Sequence, residues 1–134
     1  MKQLDSTTFV SGQIAPAELP GLAASGVTAI VNNRPDGEEP GQPSSAEMEA
    51  AARAAGLAYW HIPVAGGFGA DQVLEMAQAL QGAEGKVLAY CKSGTRSAYL
   101  WALARSHVGT PGEELIGLAA EAGYDLRPIA PYLD

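Results

Sequence analysis

Residues 87–97 are Val87-Leu88-Ala89-Tyr90-Cys91-Lys92-Ser93-Gly94-Thr95-Arg96-Ser97, an apolar run that ends at the only cysteine and continues through small and polar residues to an arginine. The pattern is typical of a strand that turns directly into a helix. The first N–H groups of such a helix converge on one point, where the helix dipole favours an anion. The same field favours the thiolate form of Cys91, and Arg96 adds a planar pair of donors for an oxyanion. The stretch predicts a cysteine nucleophile inside an anion-binding loop.

We predict Cys91 and Arg96 as the catalytic pair of this loop. The alternatives are a small buried cysteine and an arginine in a surface ion pair, but the strand, the glycine and the helix favour the functional interpretation. Gly94 permits a backbone angle that other residues avoid. Ser97 is either a helix-start residue or a hydrogen-bond donor to the thiolate. The predicted anion-binding residues of the loop are Lys92, Ser93, Gly94, Thr95 and Ser97.

Composition limits the classes of partner. The 134 residues suit one domain, 1–134, and a net charge of −7 without a basic stripe argues against nucleic acid. The absence of a signal peptide or a long apolar run argues against secretion and membrane insertion. A single cysteine excludes an internal disulfide and suggests a reducing, cytoplasmic setting. Two histidines far apart in sequence form no ligand pair, so we expect no metal and no cofactor.

Hydrophobic runs alternate between strand-like and helix-like segments. Strands are predicted at 8–10, 27–31, 57–64 and 87–90, and helices at 16–25, 45–55, 71–81, 97–104 and 111–122. The helix at 16–25 should bend or split at Pro20, the last helix should begin with a capping box at Thr110, and the tail from Tyr124 to Asp134 should dock on the core. This alternation predicts a mostly parallel sheet covered on both faces, with the site at the carboxyl ends of its strands.

Two further groups of polar residues follow predicted strands. In the Pro- and Gly-rich loop after Val31, the sequence Asn33-Arg34-Pro35-Asp36-Gly37 is explained either by turn chemistry or by function. In the functional interpretation, Arg34 faces the same anion and Asp36 or a glutamate orients it, and Asp36 is also a candidate acid. Asp71 is a second candidate acid, although it also suits the first turn of a helix. His61, inside a strand, is expected to be a partnered core histidine.

The nucleophile loop resembles the signature loops of dual-specificity-type cysteine phosphatases and of single-domain rhodaneses. A larger set of segments resembles the beta-lactamase-hydrolase-like phosphatase domain family: Val10–Gln13, Val31–Glu38, His61–Val64 and Tyr90–Ser97 followed by Leu100-Trp101. This resemblance implies an α/β fold with a four-stranded parallel sheet flanked by helices on both faces. It also implies a nucleophile loop between the last strand and a central helix.

Two features depart from the phosphatase pattern. Phosphatase signatures place five residues between the cysteine and the arginine, whereas four lie between Cys91 and Arg96, which is the rhodanese-like length. The loop where a phosphatase of this type carries its general acid is Ala65-Gly66-Gly67-Phe68-Gly69-Ala70 and contains no acid before Asp71. Expelling an alkoxide without a proton donor is slow, whereas sulfur transfer releases a stable anion.

Three hypotheses follow. The preferred one is a sulfurtransferase, in which Cys91 takes sulfur from thiosulfate or a persulfide and passes it to a thiol. The second is a phosphatase that acts through a phosphocysteine, with Asp36 or Asp71 as the acid. The third is a non-catalytic anion-binding or redox-sensing module. The expected partner is a small anionic substrate (thiosulfate, a persulfide or a phosphate ester), together with a partner enzyme of sulfide metabolism in the first case.

Overall fold

The computed structural model describes residues 1–133 as a five-stranded sheet with helices on both faces. The strands are β1 (Lys2–Gln3), β2 (Thr8–Ser11), β3 (Val27–Asn32), β4 (Ala58–His61) and β5 (Lys86–Tyr90). The helices are α1 (Leu19–Ala24), α2 (Ser45–Ala54), α3 (Ala70–Gly82), α4 (Thr95–His107) and α5 (Gly112–Glu121), with 3-10 turns at Pro16–Glu18 and Arg127–Tyr132.

The sheet has the strand order β1-β2-β5-β3-β4, in which β2, β5, β3 and β4 are mutually parallel. These are the four predicted strands, so the predicted α/β architecture is confirmed. The fifth strand, β1, pairs antiparallel with β2 and is only two polar residues long. The expectation of four strands was wrong by this one, because a short polar strand leaves no apolar run in the sequence.

The central position of β5 in the sheet explains why its sequence is apolar at every position after the first. It pairs with β2 on one side and with β3 on the other. Its side chains alternate between two cores, so that Val87 and Ala89 pack with the cluster under α3, α4 and α5. Leu88 and Tyr90 pack with the cluster under α1 and α2. A strand buried on both faces cannot show the polar alternation of a surface strand.

Several element boundaries differ from the predictions for local reasons. The segment 16–25 splits into a 3-10 turn and α1, with Pro20 in the first turn of α1, where its missing N–H removes no helical bond. The predicted strand 57–64 is ordered as a strand only over Ala58–His61. The capping box at Thr110 is not formed, because α5 begins at Gly112 after Pro111 and has no side-chain cap.

The end of the described chain docks as predicted. Leu126 and Ile129 are buried in the core beneath α4 and α5. The last residue of the predicted tail, Asp134, lies outside the described residues. Within residues 1–133, no helix is long and apolar enough to cross a bilayer.

The helix α4 is anchored at its far end by a carboxylate. Trp101, which is fully buried, donates from its indole Nε1 to Asp5 Oδ2 at 2.8 Å, and Arg105 Nε lies 3.2 Å from the same oxygen. The backbone N–H of Thr8 donates to Asp5 Oδ1 at 2.8 Å. Burial alone would raise the pKa of Asp5, but these hydrogen bonds and the Arg105 charge outweigh burial and lower it. The β1–β2 turn and α4 are therefore joined through one charged side chain.

We expect Asp5→Ala to lower the free energy of unfolding by about 2–3 kcal/mol, because it leaves the buried indole N–H of Trp101 without an acceptor. Urea denaturation followed by tryptophan fluorescence measures the change. The matched control is Asp125→Ala, which removes an exposed pair with Arg127 and should cost less than about 1 kcal/mol. Equal effects of the two substitutions would contradict the anchoring role.

Candidate active site

The nucleophile loop lies between β5 and α4 and encloses the sulfur of Cys91. Cys91 has no exposed surface, and the backbone N–H of Gly94 donates to its Sγ at 3.0 Å. Gly94 has a φ of +91°, a left-handed conformation that turns the chain from the strand into the helix. A Cβ at this position would also collide with the hydroxyl of Tyr124. The positive φ therefore favours glycine here, and a Cβ would in addition displace the Tyr124 side chain.

The helix α4 begins two residues earlier than predicted, at Thr95, so that Arg96 is part of its first turn. No side chain caps this end of the helix, and the first N–H groups of a helix have no intrahelical acceptors. Around the opening, Lys92 and Ser93 are exposed, and Ser93 Oγ lies 3.2 Å from Thr95 Oγ1. This arrangement suits an anion in front of the Cys91 sulfur.

The guanidinium of Arg96 is fixed by two acceptors. Its Nη1 donates to the carbonyl of Val64 at 2.8 Å and to Glu38 Oε2 at 2.8 Å, while Nη2 donates to Glu38 Oε1 at 2.9 Å. The hydrogen bonds that Arg96 donates to Glu38 are the main reason why the pKa of Arg96 is raised, and its interaction with the Cys91 side chain raises this pKa further. The guanidinium is thus held between the carboxylate and the sulfur.

Arg34 is linked to the same carboxylate from the opposite side. Its side chain is only 3% exposed, and its Nε donates to Glu38 at 2.8 Å. Its Nη2 donates to Glu39 at 2.6 Å, and its Nη1 donates to the Gln13 side chain at 3.0 Å. The structure therefore brings Arg34 and Arg96 together through Glu38, with every guanidinium nitrogen of Arg34 already bonded.

Sequence reasoning allowed a glutamate to orient Arg34, but it did not identify Glu38 or Glu39 as that residue. The hydrogen bond from Arg96, followed by that from Arg34, lowers the pKa of Glu38 to about 2. Glu39 pairs with Arg34 and also lies 3.6 Å from the Lys92 ammonium. The signal was present in the sequence, because the acidic pair stands in a strand-end loop of a chain with few cations. The three expected anion-binding cations, Arg34, Lys92 and Arg96, therefore all have carboxylate partners.

Asn33 connects the segments that surround the site, and it has no exposed surface. Its backbone N–H donates to Tyr90 at the end of β5, and its carbonyl accepts from Val64 after β4. Its side-chain amide donates to the carbonyl of Ile62 at 2.9 Å and accepts from the hydroxyl of Ser97 at 2.8 Å. The Ser97 proton is thus given to Asn33, whereas the sequence suggested the thiolate as one acceptor.

The two candidate acids have other structural roles. Asp36 accepts a hydrogen bond from the backbone N–H of Ser45 at 2.7 Å, at the start of α2. Asp71 is exposed in the first turn of α3. Among residues 1–133, no hydrogen bond joins either carboxylate to the loop 91–97, and both stand at helix starts. His61 Nε2 lies 3.0 Å from the carbonyl of Arg34, a partnered position of the kind that was expected.

Metal chemistry would need a cluster of ligands. Within the part of the chain that the structure describes, no group of three or more His, Cys, Asp or Glu side chains is placed to hold a metal ion. The functional groups at the site are one thiol, two guanidinium groups, a lysine, the carboxylates of Glu38 and Glu39, and the N–H groups at the start of α4.

Sequence comparison relates the whole arrangement to one family. The family model described as "Beta-lactamase hydrolase-like protein, phosphatase-like domain" matches residues 1–108. A beta-lactamase hydrolase-like protein from Agrobacterium fabrum (strain C58) is 43% identical over 134 residues, which cover 98% of this chain and 31% of the relative. One from Xylella fastidiosa (strain Temecula1) is 42% identical over 126 residues, which cover 92% of this chain and 29% of the relative. The chain spans about a third of the length of these relatives.

Solved structures agree on the fold. A candidate phosphatase from Neisseria meningitidis superimposes with a TM-score of 0.83 at 35% identity, over 99% of this chain and 95% of the other. Tk-PTP in its active form superimposes with a TM-score of 0.71 at 24% identity, over 94% of this chain and 86% of the other, a similarity of fold alone. The fold is thus of the cysteine-phosphatase type. None of these descriptions names a sulfurtransferase, so the preferred expectation draws no support from them.

We expect Asn33→Ala to lower the free energy of unfolding by about 2–3 kcal/mol, because it leaves Ser97 and the carbonyl of Ile62 without their partner in a buried site. Ser97→Ala should cost about 1 kcal/mol. In a double-mutant cycle measured by urea denaturation, the two effects should be less than additive, because both substitutions remove the same bond. Strict additivity would contradict a direct link between the two side chains.

The carboxylate of Glu38 also makes a pH-dependent contribution to stability. Its pKa is about 2 in the folded protein and 4.5 as a free group, so the unfolded chain binds more protons between these values. The contribution should be complete above about pH 5 and should be lost as the pH falls towards 2. The difference in unfolding free energy between the wild type and Glu38→Gln should therefore shrink over this window. A constant difference from pH 6 to pH 2 would contradict the assignment.

Proposed function

We propose that this chain, which belongs to the phosphatase-like domain of the beta-lactamase hydrolase-like family, is a sulfurtransferase that carries sulfur on Cys91. Its phosphatase-like fold is that of a cysteine-nucleophile enzyme. The observation that carries the proposal is that neither predicted carboxylic acid is hydrogen-bonded to the nucleophile loop. Both candidate acids, Asp36 and Asp71, lie at helix starts with no hydrogen bond to the nucleophile loop. A reaction that releases a stable anion needs no such acid.

The proposed reaction has two displacements at sulfur. The thiolate of Cys91 attacks the outer sulfur of thiosulfate, the S–S bond of thiosulfate breaks, and sulfite leaves with the bonding electron pair. The product is a Cys91 persulfide. A thiolate or cyanide then attacks the outer sulfur of the persulfide, and the Cys91 thiolate leaves with its electrons. No proton must reach a leaving group in either step.

The loop provides the electrostatic part of this reaction. Gly94 N–H already donates to the sulfur at 3.0 Å, and it would stabilise negative charge there in both steps. Arg96 lies beside the sulfur and offers a planar pair of donors to the sulfonate oxygens of thiosulfate once an oxyanion replaces Glu38. The four-residue spacing between Cys91 and Arg96, one shorter than in phosphatases, is a second support.

A phosphatase is the second candidate, and the comparisons favour it. The matched family is described as phosphatase-like, and the Neisseria relative is a candidate phosphatase. In this case Cys91 would attack phosphorus and form a phosphocysteine, and Arg96 would bind the phosphoryl oxygens. Asp36 or Asp71 would have to leave its helix start to protonate the alkoxide.

Parallel assays with thiosulfate plus cyanide and with an aryl phosphate separate the two functions. We expect thiocyanate formation by the wild type, together with a mass increase of one sulfur atom on Cys91. Cys91→Ser should abolish both signals. Arg96→Ala should lower kcat/KM about a hundredfold, the usual effect of removing one donor from an oxyanion site. Its matched control is Arg127→Ala, at an exposed ion pair outside the site, which should retain full activity.

The remaining outcomes are also informative. Phosphate release that depends on Cys91, without thiocyanate formation, would overturn the sulfurtransferase proposal in favour of the phosphatase. No turnover in either assay, with an oxidised or persulfidated Cys91 in the purified protein, would favour the sensing module instead.

A further inference from the structure

The segment after α5 places a tyrosine over the nucleophile loop. The backbone N–H of Tyr124 donates to the carbonyl of Ala119 at 2.8 Å, which fixes the start of this segment against α5. From there the ring reaches back to the loop, where the hydroxyl faces the Cα of Gly94. Gly94 is the residue whose N–H donates to the Cys91 sulfur. Tyr124 therefore contacts the loop that holds the reacting atom, and it is outside the 1–108 segment that the family model matches.

The hydroxyl of Tyr124 has a proton to give. Its acceptor in the structure is the carbonyl of Ser93 at 3.5 Å, the upper limit for a hydrogen bond and much longer than a good O–H···O contact. Burial raises the pKa of Tyr124, and the negative charge on Cys91 raises it further. The phenol thus stays protonated at any ordinary working pH. Its O–H can rotate away from the long hydrogen bond to the Ser93 carbonyl and donate to a closer acceptor.

We propose that the Tyr124 hydroxyl donates a hydrogen bond to the oxyanion bound in front of Cys91, and is therefore a substrate-binding residue of this site. The inference deepens the proposed function and rests on it only in requiring an anion at the sulfur. The four-residue loop is one N–H group shorter than a phosphatase loop. The Tyr124 hydroxyl, from a different part of the chain, would replace the missing N–H donor. Its hydrogen bond to an oxyanion would be strong, because the acceptor is charged.

The role of Tyr124 explains why position 94 is closed to side chains. A Cβ on Gly94 would meet both the oxygen and the Cζ atom of Tyr124. The glycine thus lets the phenol approach the backbone, in addition to permitting the positive φ.

Two alkylating reagents of similar size test the proposal on Cys91 itself. Iodoacetate carries a carboxylate, whereas iodoacetamide is neutral, and both need the same access to the sulfur. For each protein we divide the rate of Cys91 alkylation by iodoacetate by the rate with iodoacetamide. We expect this ratio to be about tenfold higher in the wild type than in Tyr124→Phe, the effect of one hydrogen bond to a charged group. Intact-mass measurements of the modified protein over time give both rates.

The matched control is Tyr132→Phe, because Tyr132 is 74% exposed and lies in the same C-terminal segment. This variant should keep the wild-type ratio, and all three proteins should melt within a few degrees of one another. Tyr124→Phe should also raise KM for thiosulfate. An unchanged ratio in Tyr124→Phe would overturn the proposal. If Tyr124→Phe reacted faster with both reagents by the same factor, the proposal would also be overturned, because Tyr124 would then only restrict access to the sulfur.

The alkylation readout is independent of the reaction. If the wild type forms no thiocyanate but its rate ratio depends on Tyr124, the sulfurtransferase proposal fails and the tyrosine donor stands. If thiocyanate forms at the wild-type rate in Tyr124→Phe, with the same ratio and the same KM, the donor proposal fails and the sulfurtransferase stands. A cysteine that neither reagent modifies in any variant would also count against a phenol facing an open anion site.

Discussion

The site depends on one buried amide. Asn33 follows β3 and makes four hydrogen bonds, to the end of β5, to two residues after β4 and to the first turn of α4. Parallel strands present their carboxyl ends at one edge of a sheet, but nothing in the ladder itself fixes the loops beyond that edge. Asn33 fixes them, because a buried amide with every group bonded tolerates little displacement of its partners. The nucleophile loop and the loop with Arg34 thus keep a constant separation.

The three cations of the site are all paired with carboxylates. Glu38 bridges Arg34 and Arg96, and Glu39 bridges Arg34 and Lys92. A guanidinium as buried as that of Arg34 must be paired, since an unpaired buried charge costs several kcal/mol. Under the proposed function, an incoming oxyanion would meet an Arg96 whose two Nη atoms are already bonded to Glu38 and Val64, and it would compete with the Glu38 carboxylate for this guanidinium.

The sequence predicted the parts of the molecule that follow local rules. Four strands, five helices and the position of Cys91 follow from apolar runs, from glycines and prolines, and from the alternation of elements. The sequence did not reveal β1, because pairing with β2 and not hydrophobicity creates that strand. It also suggested the thiolate as one acceptor for Ser97, and it did not predict that Tyr124 reaches the nucleophile loop. Those contacts join residues 31 to 64 positions apart in the chain, and local pattern carries no information about such pairs.

The sheet ends on one side in β1, whose two residues pair with Phe9 and Val10 of β2. An uncovered β2 would offer a row of free N–H and C=O groups to another molecule, beside a largely buried strand. The short antiparallel strand occupies that row and presents only two residues of its own, one of them a lysine. Such an edge gives little template for intermolecular strand addition. Protection of the sheet edge against such pairing therefore fits β1, a strand that supplies no residue to the nucleophile loop.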